Sequence, residues 1–67
     1  DAQNRLLRLS PRERQVLELV IASKSNKIIA DVLGISIKTV ELHRANMMTK
    51  LDVRSLPELM KVALGHG

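Results

Sequence analysis

Four of the five serines divide this chain into segments that each have the length of one short helix. Ser10 and Ser55 each stand three residues before a glutamate and within two residues of a proline, which is the pattern of a capping box at a helix start. Ser25 and Ser36 each precede a further segment in which apolar residues recur at helical spacing. Gly34 can end a helix in the left-handed conformation. This pattern predicts an all-α fold without strands. The predicted helices span about 11–22, 26–33, 37–51 and 56–64.

The length of 67 residues limits the chain to one small domain, because such chains bury only about 60% of their surface on folding. The first nine residues have no helix cap and little periodicity. We expect residues 1–9 to be a lead-in or linker remnant and residues 10–67 to form the helical domain. The chain does not begin with Met, so we also expect it to be a fragment of a longer protein.

Several residue types are absent, and each absence excludes a class of function. Without Cys there is no disulfide framework and no cysteine-based zinc site. Without Phe, Tyr or Trp there is no platform for stacking single-stranded bases. The longest apolar run has four residues at 19–22, far below the ~20 of a membrane helix, so we expect a cytoplasmic protein. The net charge of +4 suggests a polyanionic partner but decides little by itself, because the basic residues are spread along the chain. If that partner is a nucleic acid, the lack of aromatic residues favours duplex DNA.

The sequence also lacks catalytic and metal-binding patterns. It contains no H-E-x-x-H, no G-x-S-x-G and no phosphate-binding glycine loop. His43 and His66 are too far apart to predict a metal site. Glu13, Glu41 and Glu58 fall at positions that suit helix caps or an exposed helix face. We therefore expect a protein that is not an enzyme and that uses no cofactor.

Residues 30–40 have the spacing of a helix-turn-helix corner, with Ala30, Gly34 and Val40 as its small, glycine and branched residues. The apolar periods of the other helices predict their core faces. These faces consist of Val16, Leu17, Val20 and Ile21, then Ile28, Ile29, Val32 and Leu33, and finally Leu56, Leu59, Met60 and Ala63. We expect Met48 to be the most exposed methionine and Lys50 to be solvated.

The helix predicted at 37–51 has two different faces at about 100° per residue. The inward face carries Val40, Met47 and Leu51, with Ile37 and His43 at its edges. The outward face carries Lys38, Leu42, Ala45 and Thr49, flanked by Thr39, Glu41 and Asn46. An α-helix fits the major groove of B-DNA, where Glu41 can accept from a cytosine amine and Leu42 and Ala45 can contact a thymine methyl. A merely solvated face, on a helical module that binds acidic proteins, is the alternative interpretation.

The sequence resembles a known family in three stretches: LSPRERQVLELV, SNKIIADVLGISIKTVELHRANMMTKL and RSLPEL. They are similar to the LuxR/GerE-type helix-turn-helix domain, and most similar to the output domain of FixJ/NarL-type two-component response regulators. The resemblance covers about residues 9–64. It implies a four-helix domain that binds an inverted-repeat DNA site, regulates transcription together with the transcription machinery, and is controlled by phosphorylation of a receiver domain. An output domain of a LuxR-type autoinducer-sensing regulator is the alternative within the family.

The resemblance also implies roles for individual residues of the third helix. The residues that match base contacts are Glu41, Leu42 and Ala45. The residues that match contacts at or near the DNA backbone are Lys38, Thr39, His43 and Arg44. At the start of the second helix, Ser25, Asn26 and Lys27 can present backbone N–H groups to a phosphate.

The fourth helix carries the predicted self-association surface. Glu58, Lys61 and Val62 lie on the side turned away from its apolar stripe. The family pairs two copies through this helix, which points to a homodimer. Because so small a patch buries far less than the ~1,200 Å² of a stable complex, we expect this dimer to be weak without DNA.

Overall fold

A computed structural model describes residues 6–65 of the chain. The helices of this part are α1 (Pro11–Ile21), α2 (Asn26–Leu33), α3 (Ile37–Leu51) and α4 (Leu56–Leu64). Helix α1 is one residue shorter than predicted, because Ala22 forms its C-cap. The all-α fold and the four predicted helices are confirmed.

Each of the four serines caps the helix that follows it. The hydroxyls of Ser10, Ser25, Ser36 and Ser55 accept hydrogen bonds from the backbone N–H of Glu13, Ile28, Thr39 and Glu58. At α1 the capping box is reciprocal, because the Glu13 carboxylate accepts from the Ser10 N–H at 2.8 Å. At α4 the predicted reciprocal box is wrong: the Glu58 carboxylate accepts from the N–H of Arg54 at 2.9 Å instead.

All four described helices are followed by a residue with positive φ, Gly65 after α4 included, and three of these helix ends share a further hydrogen bond. Gly34 after α2, Asp52 after α3 and Ser23 after α1 have φ of 68°, 57° and 63°. In each case the next N–H returns to a carbonyl in the last helical turn, as in Ile35 to Ala30 at 3.0 Å. A Cβ on Gly34 would meet no atom within 4 Å. Gly34 is therefore needed because its backbone has a positive φ. A close approach between α2 and α3 does not require a small residue at this position.

Ser23 is the position where this geometry costs most stability, because serine has neither the freedom of glycine nor the αL tolerance of Asp. We expect Ser23→Gly to raise the free energy of unfolding by about 0.5–1 kcal/mol, measured by urea denaturation. The matched variant is Ser25→Gly, which removes a helix cap instead and should not stabilise the domain. A neutral or destabilising effect of Ser23→Gly would contradict the strain at Ser23.

The core lies where α1, α2 and α4 pack around α3. Its buried residues are Val16, Leu17, Val20, Ile29, Ala30, Val40, Met47, Leu51, Val53 and Leu59. The prediction that Val40, Met47 and Leu51 face inward is confirmed, and all three are fully buried. Met48 was predicted to be exposed, but it is half-buried and packs against this core.

The predicted core face of α2 is partly wrong. Ile28 is half exposed and Val32 is 62% exposed, whereas Ile29 and the small Ala30 are buried. An eight-residue helix has little more than two turns, and it packs here through a narrow side that allows the close approach of Ala30. Ile37, predicted at the edge of the inward face of α3, is also exposed.

The predicted faces of α4 are also rotated in the structure. Leu56, assigned to the core stripe, is 48% exposed, while Val62, assigned to the outer side, is half-buried and packs against the core. Leu59 is the residue of this stripe that is fully buried. Because α4 has only nine residues, a small rotation about its axis exchanges its edge positions.

The segment before α1 takes part in the packing. Leu6 and Leu9 lie against the core, and the Leu9 N–H donates to the Leu6 carbonyl at 3.2 Å. The packed part of the chain therefore begins before residue 10, and the boundary between lead-in and domain at residue 9 stays a prediction. Residues 1–5, which belong to the predicted lead-in, and the tail residue His66 lie outside the described residues.

Candidate nucleic-acid interface

Helix α3 is anchored along one side and open along the other. Three turn residues, Gly34, Ile35 and Ser36, join it to α2, and Ile35 packs partly against the core. The buried side of α3 fixes the helix on the domain, and its first turn is capped by Ser36. The opposite side is therefore presented rigidly to solvent, as a helix that enters the major groove must be.

The three predicted base-contact residues lie on this open side of α3. Glu41, Leu42 and Ala45 are all exposed, and Leu42 is exposed over 59% of its surface. Thr49 and Asn46 continue the exposed surface toward the C-terminal end of the helix, where the Thr49 hydroxyl donates to the Ala45 carbonyl at 3.0 Å. This part of α3 combines the Glu41 carboxylate and two neutral polar groups with the apolar side chains of Leu42 and Ala45.

The predicted backbone-contact residues of α3 differ in exposure. Lys38 is exposed, whereas Thr39, His43 and Arg44 are half-buried at the margins of the open side. The Thr39 hydroxyl lies 2.8 Å from the hydroxyl of Ser36, so the two share one hydrogen bond at the start of α3. Lys38 is accordingly the cation of this group whose charge is most accessible to a phosphate.

The start of α2 lies beside the middle of α3. The Arg44 guanidinium donates from Nη1 to Oδ1 of Asn26 at 2.6 Å, joining residues that are 18 positions apart. Lys27 is exposed, and the Ser25 hydroxyl is occupied by its cap to Ile28. The structure thus brings predicted phosphate-contact residues of two helices into one cluster.

An open cavity of about 320 Å³ adjoins this cluster. Its lining residues are Val20, Ser23, Lys24, Ser25, Arg44, Leu56 and Met60. The cavity lies between the end of α1, the start of α2 and the side of α4. Two cations and two hydroxyls line its polar part, so its electrostatics favour a negative group.

A long-range ion pair, which the sequence did not predict, connects the other end of α3 to α1. Lys50 Nζ lies 2.7 Å from Oε1 of Glu13, whose side chain is only 6% exposed. Burial alone would raise the pKa of Glu13, but the hydrogen bonds from Lys50 and Ser10 outweigh it and hold this pKa below its ordinary 4.5. Glu13 thus links the cap of α1 to the last turn of α3, and Lys50 is not a freely solvated charge.

The predicted self-association residues differ in how far they are exposed to solvent. Glu58 and Lys61 are exposed on α4, while Val62 offers only part of its side chain. Leu56 and Leu64 add exposed apolar surface to the same helix.

None of the helices described between residues 6 and 65 is long and apolar enough to cross a membrane.

Comparison with known proteins identifies this arrangement. Residues 7–63 match the family model of "Bacterial regulatory proteins, luxR family". The transcriptional regulatory protein FixJ of Rhizobium meliloti is 54% identical over all 67 residues, and the oxygen regulatory protein NreC of Staphylococcus haemolyticus is 50% identical over 84% of the chain. The chain covers 33% of that FixJ and 26% of that NreC, so it spans about a third or less of the length of these relatives.

Solved structures agree with the sequence relatives. The fold superposes on the response regulator StyR with a TM-score of 0.91 and 44% identity, over 96% of this chain and 32% of StyR. It superposes on full-length FixJ from B. japonicum with a TM-score of 0.86 and 52% identity, over 94% of this chain and 32% of FixJ. The chain belongs to the luxR family of bacterial regulatory proteins, as a helix-turn-helix domain of the FixJ/NarL response-regulator type.

Proposed function

We propose that this domain binds a specific double-stranded DNA sequence and thereby regulates transcription, with α3 in the major groove. The observation that carries the proposal is the division of α3 into a fully buried side and an exposed side that holds Glu41, Leu42 and Ala45. A helix anchored in this way keeps its base-contacting side chains in place before DNA arrives. Membership of a family of regulatory proteins, which is not a family of enzymes, supports the same proposal.

The exposed side of α3 supplies the sequence selectivity. Glu41 accepts a hydrogen bond from a cytosine amine, and Leu42 and Ala45 contact thymine methyl groups. None of these three side chains is required by the core, so each can serve base recognition without a cost in packing. The domain therefore selects its operator through three residues near the middle of α3.

Contacts to the DNA backbone supply the register and most of the salt-dependent affinity. Lys38 and Lys27, both exposed, contact phosphates through their ammonium groups. The remaining proposed backbone contacts are Ser25, Asn26, Thr39, His43 and Arg44. Backbone N–H groups at the start of α2 can also donate to a phosphate, and the positive end of the helix dipole there stabilises its charge.

Two copies pair through α4 on an inverted repeat. Glu58, Lys61 and Val62 form the contact, and the exposed Leu56 and Leu64 support it with apolar surface. The patch is small, so the pairing is weak and depends on DNA. An operator with half-sites about one helical turn apart would match this symmetry.

The names of the relatives support control of this domain by phosphorylation. FixJ and NreC are regulatory proteins, and StyR is a response regulator, each about three times or more as long as this chain. We propose that the domain is the effector part of a phosphorylation-controlled cytoplasmic regulator that acts with the transcription machinery. No observation favours an autoinducer-sensing regulator or a protein-interaction module over it.

Matched substitutions on α3 test the division between backbone and base contacts. Lys38→Ala should weaken binding to operator and random-sequence duplexes by a similar factor, and reduce the salt slope of the affinity by about 1. Leu42→Ala should weaken operator binding roughly five- to tenfold, leave random-sequence binding and the salt slope unchanged, and relax the preference at one position. Fluorescence anisotropy titrations at several salt concentrations measure both. Equal losses on both duplexes from both variants would contradict base recognition by α3.

A further inference from the structure

Arg44 and Asn26 differ from the lysines of the proposed DNA-binding surface, because their side chains are hydrogen-bonded to each other and less exposed. Lys24, Lys27 and Lys38 are exposed, whereas Asn26 and Arg44 are both half-buried and hold each other at 2.6 Å. The acceptor is the Oδ1 atom of Asn26, so its side-chain oxygen faces the arginine. A phosphate carries acceptors alone, so this oxygen cannot bind it, and what Oδ1 does here is hold the guanidinium of Arg44.

We propose that the Asn26 side chain acts on DNA binding through Arg44, as a positioning residue that aims the Arg44 guanidinium at a phosphate. The inference rests on the proposed DNA-binding function and changes the role of Asn26 within it. A free arginine has many rotamers and loses side-chain entropy when it is immobilised. Because Asn26 already restrains the guanidinium, less of that entropy is lost on binding, and the N–H groups that Asn26 leaves unused remain to bind the phosphate.

The surroundings of the guanidinium agree with this role. Arg44 lines the open cavity together with Lys24 and Ser25, beside the first residues of α2. A second cation and a helix start therefore lie near the phosphate that Arg44 would hold. The bond to Asn26 joins α2 to α3 at this point, so it also fixes α3 relative to the phosphate contacts of α2.

Salt dependence distinguishes a positioning role from a direct contact, because a neutral amide releases no counterion from DNA. The probe is a random-sequence DNA duplex, titrated with the wild type, Asn26→Ala, Arg44→Ala and the double variant. We expect Arg44→Ala to weaken binding roughly tenfold, as for the loss of one charge-assisted hydrogen bond, and to reduce the salt slope by about 1. Asn26→Ala should reduce the slope by a large part of the same amount, although it removes no charge.

The double variant should bind like Arg44→Ala alone, since Asn26 has no role once the arginine is absent. A control, Gln15→Ala on the exposed side of α1, should bind like the wild type. Thermal unfolding confirms that each variant is folded. A measurement without DNA adds a second test: the Arg44 Nη1–H resonance should be resolved in the wild type and broadened by rotation and exchange in Asn26→Ala.

Two results would overturn the proposal. One is an unchanged salt slope in Asn26→Ala with losses that add to those of Arg44→Ala, which would make Asn26 an independent contact. The other is an Arg44 resonance that Asn26→Ala leaves unaltered. Either result leaves DNA binding by the domain intact, whereas failure of the wild type to bind any duplex would instead refute the proposed function.

Discussion

Replacing Met47 by alanine is expected to lower the free energy of unfolding by about 3 kcal/mol, one of the largest single effects in this domain. Met47 is fully buried on the inner side of α3. Truncation removes its apolar surface from the core and leaves a cavity that the surrounding helices close only in part. A chain of 67 residues has little stability to spare, so much of the protein should be unfolded at 37 °C. Urea denaturation followed by circular dichroism measures the loss.

Two matched variants make this prediction specific to burial. Met47→Leu conserves volume and should cost less than about 1.5 kcal/mol. Leu42→Ala truncates a large apolar side chain on the opposite side of the same helix and should change stability by no more than about 0.5 kcal/mol. If Leu42→Ala destabilised the domain as much as Met47→Ala, the assignment of buried and exposed sides to α3 would be incorrect.

Replacing Glu13 by alanine is expected to lower the free energy of unfolding by about 2 kcal/mol. The substitution removes the carboxylate half of the α1 capping box and the partner of Lys50. The cap contributes about 1 kcal/mol, and the ion pair contributes a similar amount because the Lys50 side chain is 41% exposed and its charge is partly screened. Urea denaturation at pH 7 measures this loss, and Lys50→Ala, which keeps the cap, should cost about half as much.

The pH dependence of stability isolates the charge of Glu13. Because its pKa is lower in the folded state than in the unfolded state, its contribution is present above the unfolded pKa and is lost as the pH falls through the folded pKa. Glu13→Gln, which keeps the shape but not the charge, should therefore flatten the acid limb of the stability curve below about pH 4.5. An identical acid limb in Glu13→Gln and in the wild type would contradict the ion pair with Lys50.

The helix boundaries could be predicted because their causes are local. A serine hydroxyl caps an N–H three residues away, and Gly34 turns the chain within its own residue. The two faces of α3 could also be predicted, since fifteen residues give the 3.6-residue period more than four turns to show itself. These two properties were enough to indicate which surface of the domain is anchored and which is open.

The faces of α2 and α4 could not be predicted with the same accuracy. In helices of eight and nine residues, tertiary packing decides which edge residues are covered, so Val32 and Leu56 became exposed and Val62 half-buried. The bonds from Arg44 to Asn26 and from Lys50 to Glu13 join residues 18 and 37 positions apart. Nothing in a helical period specifies such pairs, because they depend on how separate helices cross.

Affinity selection from a randomised duplex pool determines whether α3 recognises a specific DNA sequence. The selection is repeated at two salt concentrations, because phosphate contacts alone make affinity fall steeply with salt. We expect enrichment of an inverted repeat with half-sites about one helical turn apart, and an altered half-site for Leu42→Ala. Salt-sensitive retention without any enriched sequence would contradict recognition of a specific sequence and would leave a general polyanion-binding or protein-binding domain.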